Sequence, residues 1–376
     1  MKSGMSLESL LVEVQRQETT KRDFVSSTKE AMRMVEPTTF DQNQTVKIVL
    51  LSGEESQLER FEVTEQCHRQ IASRLNIPFK YYSRLLDDHS DLVISQVNAL
   101  FEREPEIRLL RTIDGKARAF LSDRYRRLDN AQVLQQALPP IVKSEMETQL
   151  LSTNVEENSM HLKVLFTDPA LTQTIGISPD GTPDNVQPYA VLRNSETGQG
   201  SLSLKAGFYR SFCLNGCVFG TEEAFSFSRN HIGGKLTEGQ DFEIFSDSTQ
   251  RKQDELIISE VTDALRTISD IRRVTIMGDR LRQIKSGDKV SDAFAAVDTL
   301  AREIGIRENE KETVLESFIK DQDYSQWGMM NAVTQLANSE STSYERAQEI
   351  ELLGSKIIKL NPSQWSRVAE AVPIAA

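Results

Sequence analysis

Cysteine is scarce: three residues in a chain of 376. That is too few for a disulfide framework, and it makes a reducing cytoplasm the expected compartment. Histidine numbers four and tryptophan two, which leaves few candidate metal ligands or general bases. No apolar run approaches the roughly 18 residues of a membrane helix, so no membrane partner is expected. The first 23 residues carry acidic side chains and lack the apolar core of a signal peptide, so secretion and organelle import are not expected either. Positive charge is also in deficit. A net charge of −12 argues against a protein that coats duplex DNA through bulk electrostatics.

What the chain does have is an ordinary globular composition, 38% apolar and 27% charged, and a length that suggests about two domains. Residues 1–43 read as a weakly ordered or helical lead-in. An α+β core is expected over 44–245, a mixed and largely antiparallel sheet with flanking helices. A C-terminal helical module follows over 251–376. Strand patterns occur at 45–51, 58–63, 160–166, 189–192 and 201–206. Apolar stripes at Ile257, Val261, Leu265 and Ile268, and at Val297, Leu300, Ala301 and Ile304, carry the helical period.

Residues 193–220 are the densest stretch. They hold five glycines, two asparagines, two of the three cysteines and three basic residues. Glycine admits close approach of a backbone or ligand, and asparagine tolerates tight turns. Asn194, Ser195, Gly198, Gly200, Asn215 and Gly216 therefore form the expected close-approach loop.

A second concentration lies at 106–130, with seven basic residues against four acidic ones. Asp114-Gly115 supplies a two-residue hairpin turn there. Simple pairing then sets Ile113 opposite Lys116, Arg111 opposite Arg118 and Leu109 opposite Phe120. Two arginines facing each other repel unless a carboxylate or a phosphate lies between them. One reading has Arg111, Arg118, Arg124 and Arg126 gripping phosphates while Tyr125 or Phe120 stacks on a base. The other has the arginines paired with Asp123, Asp129 and Glu106 on a solvated face. Lys205, Tyr209 and Arg210 extend the first reading.

Other chemistries find less support. Cys213 and Cys217 with His231 make one ligand pair and a single histidine, short of a zinc site, so no metal is expected. Neither Gly115-Lys116 nor Gly234-Lys235 has the spacing of a phosphate loop, and no cofactor is expected. His68, His89 and His161 read as surface or exposed strand residues. Glu196, Asn215 and His231 are the weak candidates for a catalytic site, so the reading leans away from an enzyme.

Several motifs stand in a familiar order. Ser122-Asp123-Arg124-Tyr125 is followed by Leu128-Asp129-Asn130, then Asn194-Ser195-Glu196-Thr197-Gly198, then Cys213-Leu214-Asn215-Gly216. Gln326-Trp327-Gly328 and Asn331-Ala332-Val333-Thr334 come later. Over roughly residues 60–370 the chain resembles the phage- and plasmid-borne family catalogued as domain of unknown function 932. The Trp- and His-rich N-terminal segment associated with many members has no counterpart here. The resemblance implies a mobile-element context near genes of DNA replication, recombination or repair, and supplies no catalytic residues. By analogy with single-strand annealing proteins, the leading expectation is binding of single-stranded nucleic acid, with self-association left open. The alternatives are a nuclease-like or hydrolytic enzyme using Glu196, Asn215 and His231, and a host-protein interaction factor.

Overall fold

The computed structural model describes residues 4–37, 45–51, 58–142, 147–210, 215–219, 226–229, 247–339, 342 and 344–372. The chain opens with helix α1 (Leu7–Thr20), capped by the Ser6 hydroxyl on the Ser9 amide. Strand β1 (Arg22–Ser27), helix α2 (Thr28–Ala31) and strands β2 (Met32–Val35), β3 (Lys47–Leu51) and β4 (Leu58–Val63) follow. Helices α3 (Glu65–Arg74), α4 (Phe79–Asp88) and α5 (Ser90–Arg103) then lead into the hairpin β5 (Ile107–Ile113) and β6 (Lys116–Ser122).

These six strands form one mixed sheet, ordered β1-β5-β6-β4-β3-β2, in which, among the described residues, β4 and β6 pair in parallel and the other neighbours antiparallel. The lead-in expected to be weakly ordered or helical thus also supplies both edge strands. The polar run of β1 buries no side chain fully, and β2 buries Met32 and Met34 in a run of four residues, too short for the alternation to show. Thr64 caps α3 by accepting from the Cys67 amide, and Cys67 and Ile71 are buried against the sheet. On α5, Val93, Val97 and Phe101 are buried in the same core, with Leu100 partly so.

The hairpin turn is as expected. Asp114 and Gly115 both have positive φ, 49° and 75°, which Gly adopts without steric cost. The register departs from simple pairing two residues further on. Ile113 pairs with Lys116, but Arg111 pairs with Ala119, Leu110 with Phe120 and Leu109 with Leu121. A bulge between Arg111 and Thr112 leaves Arg118 outside the ladder, so the two arginines do not face each other.

Helix α6 (Asn130–Val142) connects to a second, antiparallel sheet. Its strands are β7 (Thr148–Val155), β8 (Met160–Phe166), β9 (Gln173–Ile177), β10 (Pro183–Asn194), β11 (Leu202–Arg210), β12 (Asn215–Phe219) and β13 (Ser226–Arg229). The order is β12-β11-β10-β8-β7, with β9 also on β10 and β13 also on β11. The rest is helical: α7 (Asp247–Ile268), α8 (Ile271–Ser286), α9 (Ala293–Ile304), α10 (Lys311–Asp321), α11 (Gln326–Gln335), α12 (Tyr344–Lys359) and α13 (Pro362–Ala369).

One apolar core runs through the inner face of this second sheet (Leu162, Val164, Ala190, Leu192, Leu204) and on into the helices (Leu265, Leu300, Trp327, Ile357). The change of character expected near residue 251 falls at α7, yet the core passes straight across it. Asp184 of β10 reinforces the join. Its buried carboxylate accepts from Arg210 Nε at 2.5 Å, from Lys285 of α8, and from Trp327 Nε1 of α11 at 3.1 Å. Among the described residues no helix is long and apolar enough to cross a membrane.

Candidate nucleic-acid interface

The residues singled out in the sequence fall into two places. The first is the junction between the two sheets, where the hairpin meets residues 194–200. Arg111 has no exposed side-chain surface. Its guanidinium donates to Asp23 Oδ1 at 2.9 Å, to Asp129 Oδ1 at 2.7 Å and to the main-chain carbonyl of Glu196 at 3.0 Å. Burial opposes its charge, but Asp129 and Asp23 outweigh burial and raise its pKa further. Arg118 donates to Glu196 Oε2 at 2.5 Å. The other carboxylate oxygen of Glu196 accepts the Asn130 amide at 2.6 Å and lies 3.7 Å from Lys21 Nζ. Lys21 also bridges to Asp129 at 2.8 Å.

The loop itself is held from every side. The Tyr125 hydroxyl donates to the Ser195 carbonyl, Gln70 Nε2 to the Thr197 carbonyl, and Asn194 Nδ2 to the Leu128 carbonyl and Asn130 Oδ1. Asn194, Ser195, Glu196 and Thr197 are all buried. At Gly198, φ is +76° and a Cβ would lie 2.7 Å from Leu121 Cδ2. The close approach that glycine permits is taken up here by the chain's own hairpin. Arg111 and Arg118 therefore already have their counter-charges, as does Arg210, buried on Asp184 and Ser178. Arg124 is exposed and Arg126 half-buried on the turn after the hairpin.

Glu196 is committed to this network, and Asn215 begins β12 opposite Arg210. His231 and Cys213 lie outside the described residues. Among the described residues no group of three or more His, Cys, Asp or Glu is placed to hold a metal.

The second place is the outer face of the second sheet, opposite the main core. The ladder sets His161 beside Arg193 and Arg193 beside Ser203; one step along, Lys163 lies beside Val191 and Val191 beside Lys205. Residues directly opposite in a ladder share a face, so His161, Lys163, Arg193 and Lys205 lie together. Tyr189, Val191, Leu165 and Tyr209 form a small apolar cluster on the same face, packed by Leu352 of α12. Lys163 is fully buried and donates to Glu351 of α12 at 2.6 Å. Burial lowers the pKa of Lys205, and the nearby charges of Arg193 and Lys359 lower it further. Burial, then Arg193 and Lys163, bring His161 down to about 3, so its imidazole is neutral.

This corrects two histidines. His161 is buried at the start of β8, where Ser159 Oγ meets its Nε2 at 2.9 Å. His68 is buried on Tyr82, with 2.8 Å between its Nδ1 and the phenol oxygen. Of the expected stacking residues, Tyr209 is only 7% exposed and the Tyr125 hydroxyl is engaged with Ser195. The sequence reading had included Lys205 but missed Arg193, Lys163 and Lys359. The alternation of 161/163 with 191/193 carried part of the signal, but only the register brings those strands side by side.

No curated protein and no solved structure matches the chain. A family model described as domain of unknown function DUF932 matches residues 119–356, from within β6 to α12. That match spans the 194–200 loop, the whole second sheet and most of the helices. The chain belongs to the DUF932 family.

Proposed function

We propose that this protein binds single-stranded nucleic acid, as a cytoplasmic component of phage- or plasmid-type DNA metabolism. The charge on the outer face of the second sheet supports the reading. Arg193 and Lys205 lie there with the charge of Lys359 nearby, while Lys163 is already paired with Glu351. In a chain of net charge −12, such a local surplus suits a polyanion, because phosphates displace counterions from it. The hairpin arginines, by contrast, serve to hold the 194–200 loop. With Tyr189 and Tyr209 under α12, contact through phosphate rather than base stacking is the favoured mode.

A hydrolytic reading built on Glu196, Asn215 and His231 has less to stand on, because the Glu196 carboxylate is spent on Arg118, Asn130 and Lys21. Fluorescence anisotropy of labelled single- and double-stranded oligonucleotides, titrated against salt, tests the proposal. Affinity for the single strand that falls steeply as salt rises is expected. Absence of binding even at low salt would end it.

A further inference from the structure

We propose that Arg193 and Lys205 form a seat for one phosphate group. The inference rests on reading this face as a phosphate-contacting surface, and it assigns the contact to particular residues. Arg193 in β10 pairs with Ser203, two residues from Lys205 in β11. Such diagonal neighbours sit about 7–8 Å apart at the backbone, a separation that an arginine and a lysine reaching toward one tetrahedral anion can close. Lys359, in the last turn of α12, is near enough for its charge to act on Lys205.

Three observations favour an anion as the ligand. The Nε of Arg193 is buried and has no hydrogen-bond acceptor among the described residues. A buried donor left in that state is costly, and native proteins rarely keep one. Lys205 is half-buried, and no carboxylate among the described residues forms an ion pair with it. The electrostatic neighbours that mark Lys205, Arg193 and Lys359, are both positive. Both charges disfavour the half-buried Lys205 ammonium, and an anion beside it reverses the sign.

The surroundings narrow the ligand. An ideal Cβ on Gly200 would stand 3.7 Å from Arg193 Cζ, so the guanidinium lies close to the 194–200 loop. Ser203, 7% exposed, adds a hydroxyl donor beside it. An arginine fork, a lysine point charge and a hydroxyl suit the oxygens of a phosphate monoester or diester.

Inorganic phosphate is a sufficient probe. Thermal melts of the full chain in sodium phosphate and in sodium chloride at equal ionic strength should differ. About 10 mM phosphate is expected to raise Tm by about 2 °C if it stands some tenfold above its Kd. The shift should vanish in Arg193→Gln and in Lys205→Gln, and persist in Arg124→Gln, whose side chain is exposed elsewhere. Lys205→Gln carries the test alone if Arg193→Gln fails to fold. No shift in the wild type, an equal shift with sulfate, or a shift retained in Lys205→Gln would overturn the seat. Strand binding without a phosphate shift sinks the seat and leaves the proposed function standing. A phosphate shift in a protein that binds no oligonucleotide does the reverse.

Discussion

Arg118 and Glu196 form an ion pair across the junction of the two sheets, 2.5 Å apart with each side chain only 3% exposed. Neither can lose its partner cheaply. Arg118→Ala leaves a buried carboxylate with the Asn130 amide and a distant Lys21, and Glu196→Ala strands a buried guanidinium. Each is expected to cost about 3–5 kcal/mol of stability. A matched apolar replacement, Arg118→Met with Glu196→Leu, should recover much of that loss. Urea unfolding of the three variants checks the order; a single variant as stable as the wild type would contradict the geometry.

Acid should destabilise the protein in two stages. His68 and His161 are buried and neutral, with burial pushing them down to about 4 and about 3. The unfolded chain takes up their protons first, so stability present at neutral pH is lost as pH falls below the ordinary imidazole value. Asp129 acts lower. Burial alone would raise its carboxyl, but Arg111 and Lys21 hold it at about 2. Its contribution is complete above the ordinary carboxylate value and is lost as pH falls toward about 2. The pH dependence of the urea midpoint should flatten above pH ~4 in His161→Gln and below pH ~4 in Asp129→Asn.

Much of the fold was open to sequence reasoning, and the reasons are local. The Asp114-Gly115 turn, the α3 cap at Thr64 and the apolar stripe on α9 depend on neighbouring residues. The α+β class with a helical tail follows from them. What could not be read was non-local. The bulge that takes Arg118 out of line with Arg111 leaves no mark in the residue pattern. Nor could spacing reveal that Asp23, 88 residues before Arg111, supplies a counter-charge. The two readings of the basic hairpin were separated only when its partners were in place. Arg193 was passed over because a single arginine becomes notable only once the register sets Lys205 and His161 around it.

The shared core bears on truncation. A chain cut near residue 246 loses the helices that cover Leu192, Leu204 and Phe208, and it strands Asp184 without Lys285 and Trp327. The remaining fragment is expected to lose its cooperative melt and to aggregate, which gel filtration and circular dichroism would show. In the full chain Asp184→Asn should produce a milder version. With Lys285 and Arg210 under-compensated, it should cost about 3 kcal/mol or more. A stable, monomeric fragment would show instead that the sheet closes a core by itself.

Strand binding can be assigned to residues by comparing two pairs of substitutions. Arg193→Ala with Lys205→Ala removes two cations from a face where the ladder sets them beside Lys163 and His161. Each contact to a phosphate in a single strand contributes about 0.7 to the slope of log affinity against log salt. The double variant should therefore bind more weakly at low salt, with a slope shallower by roughly 1.4. The melting temperature should hold or rise slightly, because like charges have been removed. Arg111→Ala with Arg118→Ala should behave in the opposite way. Those side chains are buried on Asp23, Asp129 and Glu196, so stability should fall sharply. In the fraction that stays folded, the salt slope should be unchanged. A hairpin pair that lowers the slope without lowering stability would return the interface to the hairpin and remove it from the second sheet.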